Sequence, residues 1–245
     1  MFDSDEFNQK LFFPRPDFSE PGGSQVDHFV AVPGGRLHLR EHAGPGVPLL
    51  FFHGNGEVGS DYDDAAGLFA EAGAALWVSD YRGYGASEGV PTLRNLISDA
   101  HALFAAMKAP CLVMGRSLGS AAVAELMGSS PATMLGAIIE SGAADFTGLI
   151  RRRGMAVPSA FAPEVRAVFD PLPKLARGRV PLLVLHGGAD EMISPREAQL
   201  TFDAAGTPAA HKTLCLLEGH GHNDVMRAPE YWVALKRFIS SLPSR

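Results

Sequence analysis

Ser117 stands between Gly115 and Gly119 in "CLVMGRSLGSAAVAELM", residues 111–127. An apolar run ends at Gly115, and a helical pattern follows the serine. Such a hydroxyl can be a plain helix N-cap. A G-x-S-x-G turn between a buried strand and a helix instead lifts the serine out of the sheet as a nucleophile. That chemistry needs a base at neutral pH. The stretch "LLEGHGHNDVM" follows the last apolar run and offers His220 and His222. His222, just before the terminal helical pattern, is the preferred base, and His220 is assigned to supporting the loop. The base in turn needs an acid to hold its tautomer. Asp190 in "LLVLHGGADEMISP" follows a buried run and is the preferred acid. Asp145 in "ESGAADF" is the alternative, and Asp224 lies too near His222 in sequence to be preferred. Acyl transfer also needs amide donors for a developing oxyanion. The amide of Leu118 at the helix start is one. The amide of Asn55 in "HGNGE" is the other, with Gly54 and Gly56 permitting close backbone approach.

These side chains must be carried by a scaffold. "VPLLFF", "ALWVSD", "CLVMG", "MLGAIIE" and "VPLLVLHG" are short and almost continuously apolar. Strands buried on both faces of a mostly parallel sheet read this way. Helical patterns separate them at 62–72, 93–107, 117–128 and 195–204. "VDHFVAV" and "RLHLREH" alternate around "PGG" and predict an antiparallel hairpin. "KTLCLLE" predicts a further strand, and a helix is expected over about 224–242. The fold class is therefore α/β, with about eight mostly parallel strands flanked by helices. In such sheets the chemistry gathers in loops at the carboxyl ends of the strands. Asp80, in "VSDYRGYG", is expected to hold the loop that follows it through hydrogen bonds.

Residues 1–24 are interrupted by prolines and read as an irregular leader; residues 25–245 read as one domain. Between "IIESG" and "VPLLVLHG" the strand–helix rhythm breaks, and a small lid is expected over about 143–179. Its apolar residues Met155, Val157, Phe161, Val165 and Phe169 offer bulk for an acyl pocket or for anchoring the lid. Arg151–Arg153 form either a solvated helix face or an attraction for an anionic substrate.

The chain has 245 residues, 46% of them hydrophobic, and a net charge of −6. That supports a large core and gives no basic face for nucleic acid. The acidic N-terminal stretch lacks the pattern of a signal peptide, and no apolar run reaches the ~20 residues of a membrane span. Two cysteines, Cys111 and Cys215, lie in apolar runs and predict buried thiols in a reducing, cytoplasmic setting. No zinc-ligand spacing, phosphate loop or dinucleotide fingerprint is found, so no cofactor is expected.

The strings "HGNGE", "DYRGYGASEG", "GRSLGS", "HGGADEMISP" and "GHGHND" appear in this order. Together they resemble the α/β-hydrolase superfamily, from about Val26 onward. Within it the chain is similar to a cytosolic branch related to serine aminopeptidase-like hydrolases and protein depalmitoylases. The resemblance implies Ser117 as nucleophile, Asp190 as acid and His222 as base, with Asn55 and Leu118 as oxyanion donors. His220 departs from the pattern, because many relatives carry a small residue there. The expected partner is a small acyl ester or thioester, with no metal or organic cofactor. An aminopeptidase is the rival reading, for which Glu57 or Glu140 would hold the substrate ammonium. A binding protein on the same scaffold is a third.

Overall fold

The computed structural model describes residues 5–152, 154, 163 and 168–242. Its strands in chain order are β1 (Gln25–Val32), β2 (Gly35–His42), β3 (Val47–Phe52), β4 (Ala74–Ser79), β5 (Cys111–Arg116), β6 (Met134–Glu140), β7 (Leu182–Gly187) and β8 (Lys212–Leu217). They form one sheet in the order β1-β2-β4-β3-β5-β6-β7-β8. β1 and β2 are antiparallel, as are β2 and β4; all other neighbours run parallel. Among the described residues the helices are α1 (Asp5–Leu11), α2 (Ala66–Ala72), α3 (Leu93–Ala106), α4 (Ser120–Ser129), α5 (Phe146–Arg152), α6 (Pro171–Arg177), α7 (Arg196–Ala204) and α8 (Pro229–Ser240).

The continuous apolar runs follow from burial on both faces. Successive side chains of a strand point to opposite sides. Leu50 and Phe52 of β3, Val113 of β5 and Val184 of β7 enter one core with α3, α4, α6 and α7. Leu49, Phe51, Met114 and Leu185 enter the other, against α2 and α8. Only the outer strands are relieved of this demand, and β8 is accordingly half-exposed along most of its length. After β3 the chain moves to β4 on one side and then returns to β5 on the other. The carboxyl ends of β3 and β5 thus border the point where strand order reverses, where such sheets bind ligands.

The leader departs from expectation. Residues 5–11 are helical, and Phe7, Leu11 and Phe12 are buried. Phe7 and Leu11 lie one turn apart on the same helix face, with acidic residues in the first turn and Lys10 in the last. A helix this short leaves little periodicity to read, and its stability comes from docking. Beyond it, the Arg15 carbonyl accepts from Gly85 N–H, and Asp17 N–H donates to the Gly85 carbonyl, both at 3.0 Å.

Of the expected lid, α5 and α6 are described. Met155, Val157, Phe161 and Val165 lie outside the described residues, as does Arg153. Arg151 is exposed. Phe169 and Leu175 are buried in the core shared with α4, so the end of this interval belongs to the body. Cys111 is buried, and burial pushes its thiol up to about 12. Cys215 is half-buried, because β8 is an edge strand. Among the described residues no helix is long and apolar enough to cross a membrane.

Candidate active site

β5 ends at Arg116, and Ser117 follows with φ 50°. This left-handed conformation costs a non-glycine residue of order 1–3 kcal/mol. A 3-10 turn over Ser117–Gly119 then leads into α4, so the helix pattern read from Ser117 begins tighter than an α-helix. The flanking glycines are required by contact. A Cβ at Gly119 would strike the Phe52 carbonyl of β3, and one at Gly115 would strike the Gly119 carbonyl. The turn therefore presses against the end of β3, beside the "HGNGE" loop.

The structure brings Ser117, His222 and Asp190 together. His222 Nε2 lies 3.1 Å from Ser117 Oγ, and His222 Nδ1 lies 2.7 Å from Asp190 Oδ2. A carboxylate only accepts, so Nδ1 carries the proton and Nε2 is left to accept from the serine hydroxyl. Asp190 is itself fixed: its Oδ1 accepts from the N–H groups of Met192 at 2.9 Å and Ile193 at 2.8 Å. Burial alone would raise its carboxyl. Hydrogen bonds from His186, His222 and Ile193 overcome this and hold it well below the usual carboxylate range. His186, at the end of β7, was not singled out from the sequence. Its Nε2 lies 2.8 Å from the Ile193 carbonyl and 3.2 Å from Asp190 Oδ2. The signal was a polar residue in a strand otherwise buried and apolar.

The other candidates are engaged elsewhere. Asp145 is exposed, and its Oδ1 accepts from Gly148 N–H at 2.8 Å in α5. His220 Nδ1 lies 3.1 Å from the Asp224 carbonyl, a contact within its own loop. Asp224 Oδ1 accepts from Gly221 N–H at 2.7 Å. Asp80 does less for the loop after it than for its other neighbours. Its side chain takes Gly59 N–H at 2.8 Å and pairs with His38 Nδ1 at 2.6 Å, while its carbonyl accepts from Ser87 Oγ at 2.8 Å. Burial would raise the Asp80 carboxyl, but His38 and His53 hold it far below the usual range.

Asn55 follows β3, in the loop that abuts the serine turn. Its side chain is clamped by the N-terminal segment. Oδ1 accepts from Phe13 N–H at 3.0 Å and from Tyr84 Oη at 2.6 Å, and Nδ2 donates to the Leu11 carbonyl at 2.7 Å. Leu118 occupies the 3-10 turn and is buried. Glu57 and Glu140, the groups considered for holding an ammonium, both face Arg116. Arg116 Nη1 donates to Glu57 Oε1, and its Nε lies 3.0 Å from Glu140 Oε1. The second oxygen of Glu57 accepts from Tyr62 Oη at 2.7 Å and Gly54 N–H at 2.6 Å. That of Glu140 accepts from Tyr231 Oη at 2.7 Å.

A hydroxyl, an imidazole and a carboxylate linked in this order can carry out nucleophilic acyl transfer. The model of the family described as serine aminopeptidase, S33, matches residues 45–168, just over half of the chain. The chain belongs to this family of α/β-hydrolases. It is 29% identical over 205 residues to human alpha/beta hydrolase domain-containing protein 17B, across 78% of this chain and 66% of that protein. It is 28% identical over 214 residues to alpha/beta hydrolase domain-containing protein 17C of Xenopus laevis, across 84% of this chain and 65% of that one. The chain thus spans slightly less than two thirds of these relatives. The solved esterase Pf2001 of Pyrococcus furiosus has a TM-score of 0.74 at 14% identity, across 94% of this chain and 99% of that one. This likeness is one of fold.

Proposed function

We propose that this chain is a serine hydrolase that cleaves a small ester or thioester through an acyl-enzyme. The observation that carries the reading is the hydrogen-bonded order Ser117–His222–Asp190, at 3.1 and 2.7 Å. His222 Nε2 takes the Ser117 proton as Oγ attacks the carbonyl carbon. The amides of Asn55 and Leu118 hold the tetrahedral oxyanion; losing one such donor typically costs ~10²–10³ in rate. His222 then passes its proton to the leaving alkoxide or thiolate. Water, deprotonated by His222, attacks the acyl carbon, and collapse of the second tetrahedral species returns the proton to Ser117. Asp190 stays ionised throughout and stabilises the imidazolium.

An aminopeptidase needs an acidic group to bind the substrate ammonium. Glu140 is fully buried and is held by Arg116 and Tyr231, while Glu57 is held by Arg116, Tyr62 and Gly54. Neither is spare for that task, which favours the ester reading. The free thiols Cys111 and Cys215 suit a reducing, cytoplasmic location. The test is hydrolysis of nitrophenyl esters of rising chain length beside aminoacyl amides. Turnover of the esters and not of the amides is expected, and preference for the amides would return the peptidase reading.

A further inference from the structure

Arg116 precedes Ser117 and closes a strand whose every residue is buried. Each nitrogen of its guanidinium is used. Nε meets Glu140, its parallel register partner on β6, and Nη1 meets Glu57 in the loop after β3. Nη2 donates to the His222 carbonyl at 3.0 Å and to Asn223 Oδ1 at 2.9 Å. One planar group therefore joins the serine turn, the loop carrying Asn55 and the loop carrying His222. The fit is close: a Cβ on Gly54 would lie 2.6 Å from Nη1.

We propose that Arg116 is a positioning residue that fixes the His222 and Asn55 loops relative to Ser117. This rests on the roles given above to Ser117, His222 and Asn55. Two carboxylates balance the cation, and the hydroxyls of Tyr62 and Tyr231 hold their outer oxygens. The carboxylates offset the cost of burying the guanidinium's charge, and its far edge reaches the histidine loop. Nη2 binds the main-chain carbonyl of residue 222 and the side chain of residue 223, so it restrains the peptide between them. A rigid fork meets these directions together, whereas an ammonium is a compact point charge on a flexible stem. Misplacing a reacting group by ~1 Å can cost ~10²-fold in rate.

The test compares wild type with Arg116→Lys, which keeps the charge and loses the fork. Active sites are titrated with a fluorophosphonate, and kcat is expressed per titrated site. We expect kcat to fall about 10–100-fold with KM within about threefold, because substrate still binds but the base is displaced. Amide hydrogen exchange across 219–224 should become faster. A purely structural role would reduce the melting temperature and the titratable fraction, yet leave per-site kcat and this exchange unchanged. Either of those unchanged values overturns the proposal. Should Arg116→Lys not fold, Asn223→Ala removes one exposed acceptor from Nη2 without stranding a charge. It should lower per-site kcat about 3–10-fold and loosen the same loop, and wild-type values for either would again overturn it. A wild type that neither titrates nor cleaves ester defeats the hydrolase reading, while the exchange comparison still decides whether Arg116 restrains the loop.

Discussion

His222 Nε2 and Ser117 Oγ are 3.1 Å apart, although 105 residues separate them in the chain. The serine is placed by the end of β5 and the histidine by the loop after β8. Two intervening strands, β6 and β7, lie between those positions in the sheet. The contact thus depends on loops reaching across the carboxyl edge, and on the groups that hold those loops.

Asp190 takes two backbone N–H groups on one oxygen and His222 on the other. Asp190→Asn should leave the fold intact and lower kcat by up to ~10⁴, because the amide favours the wrong imidazole tautomer. Asp145→Asn should change kcat by less than about twofold, since Asp145 only serves α5 and surface changes of this kind are small. Steady-state kinetics of both variants checks the ranking. The reverse order would move the acid to the end of β6.

Asn55→Ala keeps the backbone amide while deleting the clamp to Leu11, Phe13 and Tyr84. We predict a fall in kcat of about tenfold through displacement of that amide. The N-terminal segment should also be cut faster by protease. Unchanged kcat with a loosened segment would show that the clamp serves the leader alone.

The glycine after Leu118 tests the turn itself. Gly119→Ala drives a methyl group into the Phe52 carbonyl. The expected loss of stability is about 3 kcal/mol, the upper end for overpacking, and thermal unfolding measures it. A melting temperature equal to wild type would mean that β3 yields freely at its end.

The pH dependence of stability follows from Asp80 and Asp190. Both are held below the usual carboxylate range in the folded chain. In the unfolded chain they titrate near ~3.9. The folded form therefore binds fewer protons, and its advantage is full above that region. It shrinks as pH falls through about 4 and goes on falling below it. Melting temperatures measured from pH 7 to 3 should drop in that window. A flat curve would contradict the buried, paired carboxylates.

Much of the scaffold was legible because the sheet imposes a simple rule. "VPLLFF" and "VPLLVLHG" must satisfy cores on both faces, and only apolar residues do so. Ser117 and Asp190 were legible for a related reason, each lying just past such a run, while His222 lies in the loop after the edge strand β8. Arg116 was not. Its partners come from three separate segments, at Glu57, at Glu140 and at the adjacent His222 and Asn223, with Tyr62 and Tyr231 behind them. No periodicity links such positions; the only trace was a charge at the end of each of two neighbouring buried strands. The clamp on Asn55 was hidden likewise, because α1 is too short to announce itself and main-chain partners leave no mark in side-chain type.

In the mechanism we propose, the Ser117 hydroxyl is the activated nucleophile. Treatment of the wild type with a fluorophosphonate, followed by mass spectrometry of its peptides, tests it most directly. A single adduct on Ser117 is predicted, absent in Ser117→Ala and slowed by orders of magnitude in His222→Ala, with ester hydrolysis lost in parallel. An adduct on another serine, or ester hydrolysis that survives Ser117→Ala, would contradict the account.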